Sequence, residues 1–161
     1  MRKLIVLLMG LIILVTVNFS IYQREKLRSD GRVVLLELAP VDPRSLMQGD
    51  YMALRFKVVT DAFSNQNMNQ QNQDGQLVVT VDEHNIASFK RFADNTPLAS
   101  NEAVLQYRIR NHQVKFATNA FFFEEGHRDS YQAARYGEFR VSADGEMLLI
   151  NLHGTDLAVL N

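Results

Sequence analysis

The residues with the most chemistry in this chain sit close together in "VDPRSLMQGDYMALRF", Val41 to Phe56. Asp42 and Asp50 could share acid–base work if their environments pulled their pKa values apart. Ser45 could act as a nucleophile only beside a base, and the lysines considered for that role are Lys57 and Lys90. Lys57 falls on the strand face opposite Leu54 and Phe56, and nothing in the spacing marks either amine as buried enough to lose its proton. Arg44 could clamp a carboxylate or phosphate while Tyr51 offers a flat amphipathic contact, the pairing that recognition surfaces favour. Each residue also has a local backbone reason to be there. Asp42 can cap a turn, Pro43 suits a first helical position, Gly49 can supply an unusual backbone angle, and Arg44 can pair with Asp50 or with loop carbonyls. The loop therefore reads first as a structured turn, and in its functional reading as a binding surface made by Asp42, Arg44, Asp50 and Tyr51. Its alternative is a membrane-associated hydrolase using Asp42, Ser45 and Asp50.

A second cluster, "EEGHRD", holds Glu124, Glu125, His127 and Asp129, all acceptable metal donors, but at a spacing that matches no specific metal site. Acidic residues just ahead of a helix are expected from capping and the macrodipole alone. His84, His112 and His153 fall at turns or strand ends, where solvated side chains are expected. No cysteine is present, which excludes thiol catalysis and cysteine metal sites. No metal and no cofactor are expected, and the balance is against an enzyme.

Alternation of apolar and polar residues supplies the elements that position the loop. "RVVLLELAPV" gives a strand over Val33–Leu38, stopped by Pro40 and Pro43. "YMALRFKVV" alternates with Met52, Leu54, Phe56 and Val58 on the apolar face, so a half-buried strand is expected. "SNQNMNQQNQDGQ", residues 64–76, is too poor in apolar side chains to join a core and reads as a mobile surface loop. Four more strands are expected in "QLVVTVDEH", "IASFKRF", "AVLQYRIR" and "QVKFAT", the last two joined by a tight turn at Asn111-His112. "HRDSYQAARYG" reads as a helix closed by Gly137. "EFRVSADGEMLLINL" reads as a hairpin turning at Ala143-Asp144-Gly145. In "FFF", Phe121 to Phe123, at least two rings belong to the core and the third faces a membrane or a partner. The fold class expected is mainly β, an N-terminal transmembrane helix followed by a small antiparallel β barrel or sandwich with one short helix.

Ahead of all this, "LIVLLMGLIILVTVNFSIY", Leu4 to Tyr22, carries no charge and at about 1.5 Å per residue can cross a hydrocarbon core of about 30 Å. It is longer than the core of a cleaved signal, so residues 1–23 are expected to be an uncleaved signal-anchor, followed by a short charged neck and an exported β-rich domain over residues 24–161. Arg24, Lys26 and Arg28 compete with Arg2 and Lys3 for the cytoplasmic side. The short leader favours a single-pass protein with its main domain extracytoplasmic, which in a bacterial host means an anchor in the inner membrane and a domain in the periplasm. The bilayer is thus the first expected partner, through residues 4–22. With 17 Lys+Arg against 18 Asp+Glu, the chain has no positive field for nucleic acid.

The stretch "PVDPRSLMQGDYMALRF" resembles the GDYXXLXY family of bacterial membrane-anchored proteins, whose signature is matched by Gly49, Asp50, Tyr51 and Leu54, with Phe56 in the last aromatic slot. The exchange at Phe56 keeps the ring and loses the hydroxyl. "FFFEEGHRDSYQAARYGEFRV" is similar to the distal half of such proteins. The resemblance implies a membrane-anchored exported domain working beside a polytopic membrane protein, and implies no established activity.

Overall fold

The computed structural model describes residues 2–39, 47–48, 51–64, 73–94, 96–111, 113–124 and 128–160. It opens with a single helix, α1, over Arg2–Asp30. The charged neck expected after Tyr22 is therefore the last part of that helix. The strands are β1 (Arg32–Glu37), β2 (Met47–Gln48), β3 (Tyr51–Ala53), β4 (Gln73–Val81), β5 (Ile86–Phe92), β6 (Glu102–Arg110), β7 (Gln113–Lys115), β8 (Ala120–Phe122), β9 (Tyr136–Val141) and β10 (Met147–His153). Two further helices, α2 (Lys57–Phe63) and α3 (Arg128–Tyr131), complete the described elements.

Seven strands form one sheet in the order β10-β9-β1-β5-β4-β6-β7, and β2, β3 and β8 form a second, smaller sheet. Neighbours are antiparallel except β1 and β5, where Leu35 and Leu36 lie beside Ile86 and Ala87 in parallel. The large sheet curls into a half-barrel. Its curl brings the β9–β10 turn onto β6, where Gln106 N donates to Gly145 O at 3.0 Å. Gly145 has φ +89°, and a Cβ there would stand 2.9 Å from Val104 Cγ1, so both the turn and its close seating call for glycine. The mainly β class and the hairpin are as expected.

The hollow of the half-barrel is filled by rings and branched side chains. Phe56, Phe116 and Phe139 are among the largest fully buried side chains. Phe56 packs against the other two with ring centroids 5.7 and 5.5 Å apart, spacings that add attraction beyond the area buried. Leu36, Leu77, Leu105 and Leu152 are wholly excluded from solvent around them.

Three local expectations change. The strand expected through Val58 stops at Ala53, Phe56 makes only an isolated bridge to Leu38, and α2 starts at Lys57. Met52, Leu54, Phe56 and Val58 are all buried as the alternation requires, but Val58 also fits a helical face with Ala62 and Phe63. Phe63 decides between the two periods by filling a slot between Phe92 and Tyr107, at centroid distances of 5.3 and 5.2 Å. Next, the helix expected up to Gly137 ends at Tyr131. Arg135 N donates to His153 O and Arg135 O accepts from Leu38 N, so tertiary pairing pulls the chain into extended form. Gly137 becomes a strand residue between Leu36 and Leu152, where an added Cβ would press on Leu149 and Phe139 at 3.3 Å. Finally, Gln73–Gln76, read as the end of a loop, open β4 and pair with β6. The rest of that loop, residues 65–72, lies outside the described residues.

Candidate functional site

The small sheet is built by the signature stretch and the aromatic run. In β3, Tyr51, Met52 and Ala53 face Phe122, Phe121 and Ala120 of β8. Alternate residues point to opposite faces, so Met52 (3% exposed), Leu54 (2%) and Phe56 (2%) enter the core while Tyr51 stays on the outer face. Leu54 N donates to Asn119 O at 2.7 Å, and Asn119 Oδ1 accepts from Phe116 N at 3.2 Å, tying the stretch to the turn ahead of β8. Phe56 thus occupies a packing position.

On β8 the same alternation splits the aromatic run. Phe121 and Phe123 turn inward against Tyr131, with ring centroids 5.1 and 5.4 Å apart. Phe122 turns outward and is 74% exposed. Its ring meets Tyr51 across the strands at 5.7 Å and a tilt of 40°. Outside α1, Phe122 is the most exposed large apolar side chain among the described residues. The outer face of the small sheet therefore presents a Tyr and a Phe ring tilted against each other, with Phe122 the more exposed.

Of the residues singled out from sequence, Tyr51 is brought against Phe122 on the outer face, whereas Leu54 and Phe56 are buried in the core. Asp42, Pro43, Arg44, Ser45, Gly49 and Asp50 lie outside the described residues, as do Glu125 and His127. Lys57 is exposed and bonded to Glu37 Oε2 at 2.9 Å. That contact raises its pKa, the direction opposite to the one a catalytic amine needs. Among the described residues, no group of three or more acids and histidines is placed to hold a metal ion.

Sequence reasoning missed a second cluster. His153, expected to be solvated, is buried on β10, with Nε2 2.9 Å from Glu138 Oε2 and Nδ1 2.8 Å from Leu157 O. Asn151 Nδ2 donates to the same carboxylate at 3.1 Å, and Arg140 Nη2 stands 3.8 Å from its other oxygen. Burial pushes the Glu138 carboxyl up, but hydrogen bonds from His153 and Asn151 and the charges of His153 and Arg140 outweigh it and hold the group below the ordinary carboxylate range. The ring also holds the carbonyl of Leu157, which has φ +62°, so the cluster fastens the C-terminal turn to the sheet. The available signal was the alternation of β9, which puts Glu138 opposite Asn151; it cannot say that His153 completes the set.

Two clefts of about 800 Å³ each open beside the end of α1. One runs past Arg24, Gln76, Tyr107 and Glu146. The other lies between the end of α1, Leu98 and the β9–β10 turn. Neither is lined by His153 or Glu138. In comparisons with known proteins, the profile described as GDYXXLXY protein matches residues 13–152. No curated protein and no solved structure matches the chain.

Proposed function

Since the chain belongs to the GDYXXLXY protein family, we propose, from that premise, that it is a non-enzymatic, membrane-anchored domain that binds or scaffolds a neighbouring membrane or envelope protein. α1 is long and apolar enough to span a bilayer, with a mean hydropathy of 2.7 over its most apolar part and none of that part buried. In this reading residues 1–23 are an uncleaved anchor in the bacterial inner membrane, and residues 24–161 stand outside the cytoplasm.

The observation that carries the binding role is the Tyr51–Phe122 pair. An aromatic ring left 74% exposed on a short strand costs solvation, and aromatic pairs with a polar tip are enriched at the centres of protein interfaces. The signature stretch supports the same reading by dividing its labour, with Leu54 and Phe56 inward and Tyr51 outward. Asp42, Arg44 and Asp50, which precede β3 in sequence, are the charged residues proposed to bind the partner along with Tyr51. The implied partner is a polytopic membrane protein, reached without nucleic acid or cofactor.

Crosslinking in native membranes, followed by mass spectrometry, tests this. A recurrent membrane or envelope partner, captured by the parent protein and lost in Phe122→Ser, is the expected result. A protein that crosslinks to nothing, or that captures the same partner equally well as Phe122→Ser, would remove the role.

A further inference from the structure

α1 passes into the β domain without a flexible linker. Gly31 N donates to Leu27 O at 3.0 Å, closing the helix, and β1 begins at Arg32. An added Cβ on Gly31 would fall 2.4 Å from Leu27 O and 2.9 Å from Arg140 Cβ, so only glycine allows the turn from helix to strand at this distance. Leu27 is 7% exposed and already belongs to the domain. Arg24 reaches Glu146 beyond the β9–β10 turn at 4.0 Å.

The apolar run ends at Tyr22. At about 1.5 Å per residue, Arg24 stands only about 3 Å beyond it along the helix, and Lys26 about 6 Å. The headgroup layer on each side of a hydrocarbon core is about 5–8 Å deep. Whatever touches α1 between Gln23 and Leu27 is therefore at headgroup depth. The cleft of about 800 Å³ does so, with Gln23, Lys26 and Leu27 on one wall and Leu98, Ala143 and Glu146 on the other.

We propose that this cleft and its two loops form a docking face that lies in the headgroup layer of the bilayer that α1 spans, with phospholipid headgroups as its occupant. Lys26 is exposed, has no ion pair among the described residues and stands at the level of the lipid phosphates, while Asp30, Asp144 and Glu146 line the same cleft, which suits a zwitterionic headgroup whose phosphate meets the lysine and whose ammonium meets the acids. Leu98, 44% exposed, supplies an apolar contact on the opposite wall. Both loops are held in shape before any lipid arrives. Glu102 takes the Ala99 N–H at 3.2 Å and the Lys90 ammonium at 2.6 Å, and its own N–H bonds Ala99 O, which props up the loop carrying Leu98. The Asp144 carbonyl is gripped by the side-chain amides of Gln76 and Gln106. The face is the same in either leaflet. It rests on the reading of α1 as a membrane span.

Because the chain has no cysteine, single labels report cleanly. Full-length Leu98→Cys, Ala143→Cys, Thr155→Cys and Leu14→Cys, each carrying an environment-sensitive fluorophore, would be reconstituted in phosphatidylethanolamine/phosphatidylglycerol vesicles doped with lipids quenching either at the headgroup or deep in the acyl chains. Thr155 follows the end of β10 that pairs with Glu37's neighbour Tyr136, the end of the sheet away from α1. Several-fold stronger headgroup quenching at positions 98 and 143 than at 155, with acyl-chain quenching at 14, is expected. If 98 and 143 are quenched no more than 155 while 14 is quenched, the domain stands clear of the bilayer and the docking face is wrong. If 14 escapes acyl-chain quenching, the span itself fails, and the docking face falls with it.

Discussion

Glu138 and His153 meet across the β9–β10 pair with Oε2 and Nε2 2.9 Å apart, both side chains almost fully buried. Removing either leaves the other buried without its nearest side-chain partner. His153→Ala strips the carboxylate of its nearest partner and should cost about 3 kcal/mol of stability, the usual scale for breaking a buried pair from one side. Thermal melting of the detergent-solubilised protein, followed by the circular dichroism of its strands, measures this. A loss of only a few tenths would mean that water has replaced the ring.

The same carboxyl sets an acid dependence. Its folded-state pKa lies below the ordinary 4.5, so the stability it contributes is complete above that value and is lost as pH falls through the lower folded one. Glu138→Gln should be less stable at neutral pH and should lose less on acidification than the parent. Melting curves from neutral pH to about pH 3 compare the two slopes; parallel slopes would assign the acid sensitivity to other groups, Glu102 and Asp144 being the next candidates because both are also held low.

Phe56 and Phe122 should behave as opposites. Phe56, 2% exposed and between two rings, should cost about 3–5 kcal/mol when cut to alanine. Phe122→Ala should change stability by about 0.5 kcal/mol or less while weakening partner capture. A large loss of stability in Phe122→Ala would mean that its contact with Tyr51 holds the small sheet together and is no recognition surface.

Gly31→Ala tests the rigid junction. The added methyl would overlap a backbone carbonyl and another residue's Cβ, neither of which can swing away, so a loss of about 1–3 kcal/mol is expected. An unchanged melting temperature would show that the end of α1 is loosely joined to the sheet.

Membrane topology is open to a direct check. A reporter active only outside the cytoplasm, fused after Asn161, should give signal, and the protein should stay in the membrane at full length. A cytoplasmic signal would reverse the orientation, and a shortened, released form would make the apolar segment a cleaved leader.

Much of this architecture is local and therefore readable along the chain. The uncharged run from Leu4 to Tyr22 was readable as one long helix, because an unbroken apolar stretch of that length can bond its backbone groups only to one another in an apolar medium, and α1 is long and apolar enough to span a bilayer. Asn111 at φ +52° and Gly145 at φ +89° sit where tight turns were expected, because turn chemistry depends on a few adjacent residues. The burial of Met52, Leu54 and Phe56 follows from alternation alone. Tertiary structure decided whatever depends on a distant neighbour. Val58 satisfied both periods until Phe63 met Phe92 and Tyr107. Gly137 could have closed a helix, but β1 and β10 offered it two partners. The parallel contact of β1 with β5 joins segments that no periodicity relates. His153 carries no sequence mark of burial, because burying an imidazole is unfavourable until a carboxylate from another strand, here Glu138, is folded against it.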